Sequence, residues 1–221
     1  MALLETIEHA TGARPRAAVI ILHGLGADGN DFAPVARELE LDAVGDVRFV
    51  LPHAPVIPVT INNGYRMRAW YDIVGFDADD GEDEPGLRAS REHVEALLAR
   101  EKERGIPAER IVLAGFSQGC AMALLTGVRH RERLAGIAGL SGYLPLARST
   151  ATERSEANAR TPIFMAHGRD DNVVDIARGQ ASREVLRALG HDVQWHEYPI
   201  AHSVSLEEIS DLNQWLLRVL A

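Results

Sequence analysis

Ser117 stands in Gly115-Phe116-Ser117-Gln118-Gly119, directly after the apolar run Ile111 to Ala114 and before the helical face of Ala121 and Leu124. Strand, sharp turn, helix is the order that pushes a serine hydroxyl out at the carboxyl edge of a sheet, and small flanking residues let the chain reverse so tightly. The chemistry that such a serine could do is acyl transfer. At its free pKa the hydroxyl is a poor nucleophile, so a base and an orienting acid must follow, in the chain order Ser, acid, His. The acid is expected after the strand Ile163 to Ala166, in His167-Gly168-Arg169-Asp170-Asp171-Asn172-Val173-Val174, where periodicity does not separate Asp170 from Asp171. The base is expected after the strand Val193 to Tyr198. Of nine histidines, His202 is the one in the loop that follows this strand, whereas His196 lies within it and His191 before it.

Acyl transfer also needs two donors for a developing oxyanion. One is the backbone N–H of Gln118, the residue after the serine. The other is expected from His23-Gly24-Leu25-Gly26, which follows the strand Ala17 to Leu22 and whose glycines let the Leu25 amide turn inward. Other chemistries are poorly supported. Gly24, Gly26 and Gly29 lack the dinucleotide spacing, and there is no Gly-Lys-Ser/Thr for phosphate. A zinc site lacks His-Glu-x-x-His, and the single cysteine, Cys120, removes thiolate sets and internal disulfides. Cys120 is expected to pack inside. The acidic run Asp77 to Glu84 has Gly81 at the wrong offset for a calcium loop and reads as a solvated loop.

These residues require strands to end beside one another. Six short β-branched or apolar runs supply them: Ala17 to Leu22, Val47 to Leu51, Ile111 to Phe116, Ile137 to Leu140, Ile163 to Ala166 and Val193 to Tyr198. Helical faces alternate with them at Leu87, Arg91, Val94 and Leu98, at Ala121 to Val128, at Ala181 to Leu189, and at Leu206 to Leu220. The fold expected is α/β with a mostly parallel central sheet flanked by helices. Nothing splits residues 1–221, so one domain is expected, with lid-like loops at about 52–86 and 141–161 where the alternation fails.

With 221 residues and 46% hydrophobic content the chain can bury a sizeable core, which excludes disorder. Lys+Arg 23 against Asp+Glu 32 leaves a net charge of -9, which argues against a nucleic-acid partner. Apolar runs are too short for an integral membrane segment. No export signal is read at the start of the chain, and a lone thiol suits a reducing compartment, so the expected location is cytoplasmic.

The stretches LHGLGADGNDF from Leu22, MRAWYDI from Met67, ERIVLAGFSQGCAMAL from Glu109 and MAHGRDDNVV from Met165, with the loop at His202, resemble the carboxylesterase/acyl-protein thioesterase family, also called phospholipase/carboxylesterase. The resemblance covers nearly the whole chain in order and implies the α/β-hydrolase fold. It selects Asp171 over Asp170 as the acid, agrees with Leu25 and Gln118 as the oxyanion amides, and places Trp70 near the acyl pocket. It leaves room for a homodimer, which no helix face requires. Two departures bear on the pocket: Arg68 stands where relatives often carry proline, and Asn172 and Asp175 replace prolines near the acid.

The expected enzyme is a serine hydrolase that needs no metal or organic cofactor. Ser117 would attack a carboxylic ester, His202 would carry the proton and Asp171 would hold the imidazole. Trp70, Ile73, Val173 and Val174 would form an apolar substrate pocket. Small-molecule esters of short to medium acyl length are the first expectation. Acyl-protein thioester or lysophospholipid hydrolysis is the alternative, and a non-catalytic binding protein of this fold is the alternative from another class.

Overall fold

The computed structural model describes residues 3–75 and 81–221; Asp77 to Asp80 of the acidic run lie outside the described residues. Seven strands form the central sheet: β1 (Thr6–Ala10), β2 (Ala17–Leu22), β3 (Val47–Pro52), β6 (Ile111–Phe116), β7 (Gly136–Leu140), β8 (Ile163–Gly168) and β9 (Val193–Tyr198). Their order is β1-β3-β2-β6-β7-β8-β9, with β1 antiparallel to β3 and every other pair parallel. The remaining strands, β4 (Val56–Val59) and β5 (Tyr65–Arg68), pair as a separate antiparallel hairpin.

Among the described residues six helices pack around the sheet: α1 (Ala33–Glu38), α2 (Glu84–Glu103), α3 (Gln118–Gly127), α4 (Ala147–Glu153), α5 (Ile176–Ala188) and α6 (Leu206–Val219). The period of two along β2 divides the core. Ala18, Ile20 and Leu22 share one core cluster with Leu87, Val94 and Leu98 of α2 and with Ala121 and Leu124 of α3. Ala17, Val19 and Ile21 face the other way, onto Ala36 of α1 and Leu212, Trp215 and Leu216 of α6. Both faces of the inner strands are therefore dry, which is why those strands read as continuous apolar runs.

The six expected strands and four expected helices form, but the regions near 52–86 and 141–161 are not irregular throughout. The first contains the β4–β5 hairpin and the start of α2, and the second contains α4. Pro58, paired with Arg66 inside β4, breaks the strand pattern and is tolerated because the hairpin pairs with no further strand among the described residues. In α4, ARSTATE has no apolar stripe. Its anchor is polar: the buried Arg129 guanidinium bonds the Leu146 carbonyl, Thr150 Oγ1 at 2.9 Å and Glu153 at 2.8 Å.

The described part of the acidic run serves the backbone. Asp83 caps α2 by accepting the Gly86 amide at 3.0 Å, and the Glu82 carboxylate accepts the Leu146 amide at 3.0 Å. Cys120 is fully buried, as expected, and burial pushes its thiol pKa up.

Candidate active site

Ser117 sits between the end of β6 and the first turn of α3 with φ 55 and ψ -118, a left-handed conformation that costs a non-glycine residue roughly 1–3 kcal/mol. The neighbouring glycines are what admit it. A Cβ on Gly119 would lie 2.0 Å from the Leu22 carbonyl oxygen, and one on Gly115 would lie 2.1 Å from that of Gly119. The elbow thus presses against the end of β2. The first amides of α3, beginning with Gln118, have no intrahelical acceptor and carry the positive end of the helix dipole.

His202 follows β9 and lies in the loop before α6. Its Nδ1 is 2.7 Å from Asp171 Oδ2 and its Nε2 is 2.9 Å from Ser117 Oγ. An ionised carboxylate only accepts, so Nδ1 carries the proton and Nε2 is left to accept the serine O–H. Asp171 is seated in a turn after β8, where Oδ1 accepts the amides of Val173 and Val174, each at 2.9 Å. Burial raises the Asp171 pKa, but the His202 bond and the two amides outweigh it and hold the carboxyl below its ordinary value. Asp170 is exposed, and its amide bonds the Ile200 carbonyl. The structure therefore brings together Ser117, His202 and Asp171, and leaves Asp170 outside.

Leu25 occupies the turn Gly24 to Ala27, closed by the Ala27 amide on the Gly24 carbonyl at 3.3 Å. Gly26 supplies the positive φ of 74 that its third position demands. The Gly26 amide is taken by the Arg68 carbonyl at 2.8 Å, whereas no protein acceptor among the described residues takes the Leu25 amide. His23 holds this turn from inside. The Ala54 amide donates to its Nε2 at 3.0 Å, so Nδ1 carries the proton and donates to the Gly24 carbonyl at 2.7 Å. Burial lowers the His23 pKa and keeps the ring neutral.

From the sequence only the amide of Gln118 was expected to act, and its side chain was missed. Oε1 accepts the Trp70 amide and Nε2 donates to the Tyr71 carbonyl, each at 2.8 Å, so the elbow grips the segment that follows β5. Trp70 is buried, with its indole Nε1–H donating to the His23 carbonyl at 2.9 Å. Ser90 of α2 bonds the Trp70 carbonyl. Trp70 therefore ties the elbow to the end of β2 through Gln118 and His23. Val174 is engaged through its backbone in the Asp171 turn, and Val173 projects outward, about half exposed. Ile73 lines a cleft of about 600 Å³ with Leu87, Leu144, Leu146 and Val185. Tyr71 and Tyr143 also line it, their hydroxyls 3.1 Å apart. Arg68 donates from Nη1 to the Ala54 carbonyl at 2.9 Å, and Asp175 caps α5 through the Ala177 amide.

A serine hydroxyl bonded to a neutral imidazole, which is in turn bonded to a buried carboxylate, can act as an activated nucleophile toward an acyl carbon. The sequence profile of the Phospholipase/Carboxylesterase family matches residues 5–220. The chain belongs to that family. It is a serine hydrolase with the α/β-hydrolase fold. Acyl-protein thioesterase 1 of Gibberella zeae is 41% identical over 216 residues, covering 92% of this chain and 91% of its own. Acyl-protein thioesterase 1 of Yarrowia lipolytica is 40% identical over 205 residues, covering 90% of each chain. Among solved structures, SOBER1 of Arabidopsis thaliana superposes with a TM-score of 0.88 at 31% identity, over 93% of this chain and all of that one. Acyl-protein thioesterase 2 of Zea mays gives 0.83 at 29%, over 97% and 99%. No helix among the described residues is long and apolar enough to cross a membrane.

Proposed function

We propose that this hydrolase cleaves acyl thioesters through an acyl-enzyme on Ser117. The observation that carries the mechanism is the unbroken relay from Ser117 Oγ through His202 to Asp171, at 2.9 and 2.7 Å. Ser117 attacks the acyl carbon while His202 Nε2 takes its proton, and the same imidazole then gives the proton to the leaving thiol. Water repeats the sequence to release the acid. Asp171 holds the tautomer and stabilises the imidazolium, while the amides of Leu25 and Gln118 receive the oxyanion. Ile73 contributes to the acyl-binding wall, with Trp70 held against the elbow by the Gln118 side chain and Val174 seating Asp171.

The sequence put short carboxylic esters first. The relatives named acyl-protein thioesterase 1, about 40% identical over at least nine-tenths of the chain, favour the thioester alternative instead. They also count against a non-catalytic binding protein.

The test compares oxygen esters and thioesters of matched acyl length, with Ser117→Ala beside the wild type. The expected result is a higher kcat/KM on the thioester at long acyl length, and a loss of roughly 10⁶-fold in kcat for the variant. A maximum on short oxygen esters would restore the carboxylesterase reading. A Ser117→Ala enzyme within about tenfold of wild type would overturn the mechanism.

A further inference from the structure

His167, the penultimate residue of β8, is fully buried and is not one of the three relay residues. Its Nε2 lies 2.8 Å from the Val174 carbonyl and 3.4 Å from Asp171 Oδ2, the oxygen that receives His202. A carbonyl only accepts, so Nε2 carries the proton. Nδ1 has no partner among the described residues and is pressed against α5, where a Cβ on Gly179 would lie 2.6 Å from it. A second proton at Nδ1 would have no acceptor. Burial lowers the His167 pKa, and His202 adds to that, against the opposing pull of the Val174 carbonyl, Asp171 and Asp175. The ring is therefore held as the neutral tautomer with hydrogen on Nε2.

This single donor closes the turn that presents the acid. Asp171 Oδ1 takes the amides of Val173 and Val174, and Val174 gives its carbonyl to His167. The carboxylate is thus tied to the turn, and the turn is tied to the end of β8. Without the donor on Nε2 the Val174 carbonyl loses its partner and the turn can shift, carrying Oδ2 away from His202.

We propose that His167 is a positioning residue for the relay, a donor that fixes the 171–174 turn and so the oxygen that orients His202. The proposal rests on Asp171 being the acid of the mechanism above. Partners that orient metal-ligating side chains typically cost about 10- to 100-fold in activity when removed, and a loss of the same order is expected for a donor that orients the relay acid.

The experiment pairs His167→Met, of similar bulk without the donor, with His167→Gln, whose amide N–H reaches about as far as Nε2. In His167→Met, kcat is expected to fall about 10- to 100-fold with KM within about twofold, and in His167→Gln at least about fivefold of that loss should be recovered. The downfield proton resonance of His202 Nδ1–H should move upfield in the Met variant and return toward wild type in the Gln variant. Gly179→Ala keeps the imidazole but displaces it, and should shift kcat and the resonance in the same direction, which decides the matter if His167→Met fails to fold. A wild-type kcat and an unmoved resonance in either His167→Met or Gly179→Ala would overturn the proposal. So would a Gln variant no better than the Met one with both folded, since that marks a packing role. An Asp171→Asn enzyme of wild-type activity would instead remove the underlying mechanism.

Discussion

Glu208 is the most consequential buried acid outside the relay. It lies in the first turn of α6, directly after the loop that carries His202, with no exposed surface and with both carboxylate oxygens unpartnered among the described residues. Burial pushes its pKa from 4.5 to about 8, and the nearby Ser205 offsets only part of that. In the unfolded chain the carboxyl ionises near 4.5, so the folded state retains a proton that the unfolded state has lost. Stability is therefore complete below about pH 4.5 and declines as pH rises toward 8, where the native carboxyl also ionises. At about 1.4 kcal/mol per unit, the decline is ~3 kcal/mol by about pH 7 and ~5 kcal/mol when complete. That is a large share of the ~5–15 kcal/mol that holds a domain together. Glu208→Gln keeps the shape and removes the titration. Urea unfolding from about pH 5 to about pH 8.5 should show the two proteins nearly equal at the acid end and the variant more stable by about 3 kcal/mol at neutral pH. Parallel curves across the range would refute the assignment of an uncompensated buried acid at Glu208.

Two further outcomes test the site's construction. Gly119→Ala places a methyl group against the Leu22 carbonyl, a backbone atom that cannot swing aside, so the elbow must shift. It is expected to cost about 1–3 kcal/mol in stability and about 10²-fold or more in kcat by displacing the Gln118 amide; an enzyme of normal kcat would show that the elbow's position is not critical. Asp171→Asn should lower kcat by roughly 10⁴-fold at nearly unchanged KM, measured on the preferred ester or thioester, because the amide cannot fix the same imidazole tautomer. A loss of about tenfold or less would mean that His202 is oriented without it.

The amino-acid sequence by itself determined the sheet and the order of the chemistry. β2 and β6 are buried on both faces, so their apolar runs were continuous and their bounds unambiguous. Ser117 and the acid pair each follow such a strand, His202 follows the partly buried β9, and parallel strands in one sheet bring their carboxyl ends to a common edge. The strands it missed lacked that burial. β1 is an edge strand with Glu8, His9 and Ala10 exposed, and β4 and β5 form a two-stranded hairpin interrupted by Pro58.

The tertiary structure alone decided which groups act on the relay residues from outside it. Periodicity could not separate Asp170 from Asp171, because adjacent residues in a turn differ only in where the turn points them. The family resemblance selected Asp171, and the folded chain shows why, with Oδ2 at 2.7 Å from His202. The Gln118 side chain meets Trp70 and Tyr71 across 48 and 47 residues, and His23 meets Ala54 across 31. Such contacts leave no local pattern in either partner, since each satisfies a backbone group freed by a loop rather than a repeating face. His167 differs, since it lies only four residues from the acid. That its Nε2 turns to the Val174 carbonyl follows from the bend after β8 and from the space that Gly179 leaves on α5, a direction fixed by packing and not by the spacing of the residues.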